Sequence, residues 1–146
     1  MTQNFKNLKI YDDAFRLSKD LYVFFQNQHQ VPMRAKEQLL ASASSICANL
    51  AEMAAFESKP QQKQKVVTCI GEANETEFWL DMMQELKVLP QREHIDYMGR
   101  LVKIRSMLFN LKKSILIQQE KLDQSIPNQI EKTDVVRSMA EEGDAK

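Results

Sequence analysis

Glu77 is the residue whose type and position most directly suggest chemistry. It falls in the series Val66, Ile70, Ala73, Glu77, Leu80, whose spacing predicts the inward stripe of a helix. A carboxylate buried without a partner costs several kcal/mol or keeps its proton. Glu77 therefore requires a cation or a donor, and Arg105 on the flank of a later helix is the expected one, with Asn49 a second candidate. A buried glutamate can be a general acid or base, and in helical bundles Glu together with Glu-x-x-His binds a di-iron centre. The two histidines, His29 and His94, stand at breaks in the helical pattern, and neither follows a glutamate by three residues on an inner face. Cys47 and Cys69 lie on apolar faces and form no CxxC pair, so buried, reduced thiols are expected. No glycine-rich phosphate loop and no Ser/His/Asp or Cys/His set is legible. The expectation is a protein without catalytic residues, metal or cofactor.

Charge offers a different chemistry. Between Tyr97 and Gln119 stand five basic residues, Arg100, Lys103, Arg105, Lys112 and Lys113, and no acidic one. Such a stretch can grip phosphates by releasing their condensed counterions, and Lys63 and Lys65 extend it from an earlier helix. At 100 degrees per residue the same side chains fan around the helix, which also fits a solvated face. The column Gln38, Ser42, Ser45, Asn49, Glu52 runs directly beside the apolar series Leu39, Ala43, Ile46, Leu50, Met53. A polar column there suits a helix that packs in its own bundle and also meets a partner, with Asn49 and Glu52 setting register. The mostly aromatic column Tyr11, Phe15, Ser18, Tyr22, Phe25 can stack bases, or serve as core or interface.

The elements that must position these groups follow from composition. The chain has 146 residues, three glycines and four prolines, and it is rich in Leu, Met, Ala, Lys, Glu and Gln, which favours helix nearly throughout. Periodicity and the breaks at "QHQVP", "ESKP" and Pro90 predict helices over about 9–28, 33–56, 60–89 and 91–121. Ser58 is the expected cap of the third. Short connections imply an all-α, antiparallel up-down-up-down four-helix bundle. Residues 122–146 hold six acidic and three basic residues and read as a solvated, partly disordered tail, with a short amphipathic helix at Ile130, Val136 and Met139 as the alternative. With 20 basic and 20 acidic residues in all, the bundle over 1–121 keeps 17 basic against 14 acidic. No apolar run is long enough to span a bilayer and the first residues carry charges, so a cytoplasmic protein without membrane contact is expected.

Two stretches carry a resemblance. "SSICANLAEM" at 44–53 and "CIGEANETEFWLDMMQELKVL" at 69–89 resemble the family of small four-helix-bundle proteins encoded in intervening sequences of bacterial large-subunit ribosomal RNA genes. They are more distantly similar to the accessory variability proteins of diversity-generating retroelements. The matching positions are Ser45, Ile46, Asn49, Ala51 and Glu52, then Gly71, Glu75 and Glu77. Met53 stands where the pattern has glycine, and Ala41 and Phe56 stand where it has cations. The resemblance implies a ring-like homopentamer without enzymatic activity that binds RNA or a partner protein, a reverse transcriptase in the retroelement version. A scaffold that binds protein and no nucleic acid is the competing expectation.

Overall fold

The computed structural model describes residues 4–143. A 3-10 turn at Phe5–Asn7 precedes four helices: α1 (Lys9–Phe25), α2 (Met33–Met53), α3 (Lys59–Glu85) and α4 (Gln91–Gly143). Each packs on its neighbour in sequence, and α1 also packs on α4, which closes an antiparallel four-helix bundle. Among the described residues there is no strand.

Leu17 and Leu21 of α1, Leu39, Ile46 and Leu50 of α2, Leu80 of α3, and Leu101, Ile104 and Leu108 of α4 are almost wholly buried in one core. Burying each such side chain contributes about 1.5–3 kcal/mol, so the seams rather than the helix ends hold the bundle together. The seam expected of α2 is the observed one, and the spacing of Tyr97, Leu101, Ile104, Leu108, Leu111 and Ile115 predicts that of α4, where all but the partly buried Leu111 are buried. That of α3 is turned by one residue: Val66, Cys69, Ala73, Thr76, Leu80 and Met83 are buried, while Ile70 and Glu77 sit beside them, partly exposed. Cys69 and Ile70 are both apolar and adjacent, so periodicity alone does not choose between them. Packing on α2 does.

The first three helices stop three or four residues before the expected ends. After α2, Gln62 Nε2 donates to the Phe56 carbonyl at 2.6 Å and ties the connection down. Ser58 occupies the N-cap of α3, but its hydroxyl makes no capping bond; its carbonyl instead accepts from the Gln62 amide at 3.0 Å. α3 ends where Lys87 takes a positive φ of 59°, and the amides of Val88 and Leu89 turn back to the Met83 carbonyl.

α4 departs most from expectation. It continues past Lys121 to Gly143, so the boundary drawn at 121 falls inside a helix and the partly disordered tail is helical. The segment has no glycine before 143, and Arg137 and Glu141 are paired one turn apart at 3.9 Å. Its described side chains from Lys121 to Glu141 are all exposed, as expected of a solvated segment. Pro127 lies within it. Among the described residues no helix is long and apolar enough to cross a membrane.

Candidate interaction surfaces

Glu77 is not the buried polar centre of α3; Thr76 is. The Thr76 hydroxyl lies 3.0 Å from Ser42 Oγ on α2 and 2.8 Å from the Glu72 carbonyl, and the Ser42 hydroxyl donates to the Leu39 carbonyl at 3.0 Å. Glu77 stands at the α4 side of the seam with 36% of its side chain exposed, and its partner is Arg105, the residue expected from the sequence. The same guanidinium donates to Asn74 Oδ1 at 3.0 Å. It ties α3 to α4.

Two members of the polar column of α2 meet α3. Ser42 meets Thr76, Glu52 accepts from Lys65 Nζ at 2.5 Å, and Asn49 Nδ2 donates back to the carbonyl of Ser45 at 2.8 Å. Ser45 is partly buried and Gln38 is exposed. Glu75 is exposed and accepts from Trp79 Nε1 at 3.4 Å. Glu52 thus joins α2 to α3, while Asn49 bonds within its own helix.

What remains open is the opposite side. Between α1 and α2 runs a groove of about 510 Å³, lined by Phe5, Tyr11, Phe15 and Tyr22 on one wall and by Ser44, Cys47, Ala48 and Ala51 on the other. Phe15 and Tyr22 leave 50% and 49% of their surface in water. Phe5 meets Tyr11 edge-on at 5.0 Å and Tyr11 stacks on Phe15 at 6.0 Å, so the aromatic wall is braced before anything arrives. Ala41, Ser44, Ala48 and Ala51, spaced three, four and three apart, leave the α2 wall low. The aromatic column was legible in the sequence; the row of small residues opposite it passed unremarked, although its spacing is the signal.

The basic residues divide into two sets. Arg100 pairs with Asp20 at 2.8 Å and lies 3.6 Å from Asp96, Lys103 lies 3.8 Å from Asp13, and Arg105 and Lys65 hold Glu77 and Glu52. Their carboxylates come from other helices or the next turn, which one helix read alone does not display. Lys63, Lys112 and Lys113 have no carboxylate within ion-pair reach among the described residues. Lys112 lies 5.4 Å above the Phe109 ring. All three stand at the end of the bundle where α3 begins and α4 leaves, beside a cavity of about 400 Å³ shared by Met53, Lys59, Gln62, Leu111, Ile115 and Gln118.

Cys47 and Cys69 are buried, free thiols. Burial pushes them up to about 11 and about 12, so both are neutral near pH 7. Among the described residues no three His, Cys, Asp or Glu side chains converge as a metal would require.

The described residues thus form an antiparallel four-helix bundle with an open apolar groove between α1 and α2 and a small set of lysines outside ion pairs at one end. The profile of the 23S rRNA-intervening sequence protein family matches residues 6–110, and the chain belongs to that family. A crystal structure of a protein of unknown function of the S23 ribosomal protein family from Bacteroides thetaiotaomicron has a similar fold. Its TM-score is 0.67 at 23% identity, over 71% of this chain and 95% of that one. No curated protein matches.

Proposed function

We propose that this chain is a non-catalytic helical module that assembles with copies of itself and binds structured RNA or a protein that handles RNA. The observation that carries the reading is the groove between α1 and α2, where Phe15 and Tyr22 are half-exposed above a row of small residues. Large apolar patches on a lone chain cost free energy and favour association. The RNA half draws support from Lys63, Lys112 and Lys113, which lie together at one end and are not consumed by ion pairs, and from a family name that refers to an intervening sequence of 23S rRNA. A ring of five copies and a reverse transcriptase as partner are the finer forms of this reading that the sequence resemblance suggests.

Light scattering on the purified chain at micromolar concentration tests the assembly half. The expected result is a discrete oligomer, and Phe15→Glu with Tyr22→Glu should yield a monomer of unchanged helix content. A wild-type chain that is monomeric at every soluble concentration would overturn the reading. Retention of a structured RNA hairpin at moderate salt tests the other half.

A further inference from the structure

We propose that the groove between α1 and α2 receives the C-terminal part of α4 from a second copy of this chain. The inference rests on the assembly reading above and names what fills the groove.

The C-terminal part of α4 is a helix without a neighbour. α2 ends at Met53 and α3 begins at Lys59, level with Ile115 and Gln118, so the remaining 25 residues of α4 project about 35 Å beyond the bundle. No described side chain from Lys121 to Glu141 is buried. Pro127 removes one backbone donor, and proline costs about 3 kcal/mol inside a helix, with no packing on the rest of the chain to offset it.

The projecting arm nevertheless carries a seam. At 100 degrees per residue Leu122, Ile126, Gln129, Thr133 and Val136 fall within about 80 degrees of one another, a stripe apolar at three of its five positions. They lie on the line of Ile104, Leu108, Leu111 and Ile115, by which α4 packs in its own bundle. Leu122, Ile126 and Val136 are more than half exposed. The ring of Pro127 lies off this line. The arm thus extends a core-forming face past the end of the core.

The groove fits such a helix in shape, length and charge. The low α2 row permits close approach while Tyr11, Phe15 and Tyr22 flank it, the arrangement of a helix laid in a groove. From Tyr11 to Tyr22 the groove offers eleven residues of α1, about 16 Å, and Leu122 to Thr133 spans the same length of helix. Residues 122–146 carry a net charge of −3 and the remainder +3, so arm and body attract between copies. The arm does not fill the groove of its own chain: no described residue of α4 lines the groove, and α4 packs on α1 and α3 rather than on α2. Head-to-tail insertion closes into a ring when the angle of the arm permits. The arm also lies beyond the family match, which ends at residue 110.

Complementation tests it. A groove variant, Phe15→Glu with Tyr22→Glu, and an arm variant, Leu122→Glu with Ile126→Glu, are each made in the full chain and checked for unchanged thermal melting. Each alone should sediment as a monomer. Mixed in equal amounts they should form a heterodimer, since the mixture holds one intact groove and one intact arm. If the arm variant associates like wild type while the groove variant does not, another part of the body fills the groove; the inference falls and the assembly reading stands. If the mixture stays monomeric, the inference also falls. A monomeric wild-type chain removes both.

Discussion

The hydroxyl of Thr76 lies 3.0 Å from that of Ser42, and this contact joins α3 to α2 in the middle of the core. Ser42 in turn donates to the Leu39 carbonyl, so no oxygen of the pair is left without a partner. Thr76→Val keeps the shape and removes the proton shared with Ser42 and Glu72. The expected loss is about 1 kcal/mol by urea denaturation. Thr76→Ala should cost more, because it also leaves a cavity.

Arg105 and Glu77 make the corresponding tie between α3 and α4, but half in water, with 20% and 36% of their side chains exposed. A double-mutant cycle with Arg105→Met and Glu77→Gln should give a coupling of about 0.5–1 kcal/mol, reduced by salt. A coupling of several kcal/mol would mean a far drier site.

The raised thiols predict a pH dependence. Cys47 and Cys69 ionise near 9.0 when unfolded and at about 11 and about 12 when folded. Because the unfolded chain releases these protons first, their contribution to stability is undiminished below pH 9 and is lost as pH rises through the folded values. Cys47→Ala with Cys69→Ala should flatten the decline in melting temperature above pH 9. At pH 8 both native thiols should resist a thiol reagent until the chain is unfolded.

Lys63, Lys112 and Lys113, of the basic residues expected to bind nucleic acid, are the ones outside ion pairs among the described residues. Changing all three to glutamine should weaken RNA retention and lower the slope of log K against log salt by about 2. The same change at Arg100 and Arg105 should cost stability first, since both hold carboxylates within the bundle. Equal RNA affinity in the lysine variant would remove the basic end from the reading.

Two positions invite stabilisation. A Cβ on Gly71 meets nothing within 4 Å, and the residue sits inside α3, so Gly71→Ala should add up to about 1 kcal/mol in a monomer melt. Lys87 holds a positive φ of 59°, where Lys87→Gly should add about 1 kcal/mol. An alanine at 71 that instead weakens association would place α3 against a partner.

The site was legible in part. Glu77 needing Arg105 followed from the cost of a lone carboxylate, and the structure has that pair. The engagement of Arg100 with Asp20 did not follow, because the two are 80 residues apart and nothing in α4 alone points to α1. Along the polar column of α2, Ser42 and Glu52 are engaged by Thr76 and Lys65, partners that one helix alone does not display. The aromatic column of α1 was weighed as core, interface or stacking platform. Ser18 and Phe25 are core, while Phe15 and Tyr22 are left open.

Hydrophobic spacing and the placement of proline determined four helices, their order and the apolar lines of α2 and α4, since these depend on residues close together in the chain. Tertiary packing decided how far α3 is rotated, which flank of α2 is spent inside the bundle, and which cations remain for a ligand. Those outcomes depend on what lies across a helix interface, and periodicity along one helix carries no record of its neighbour.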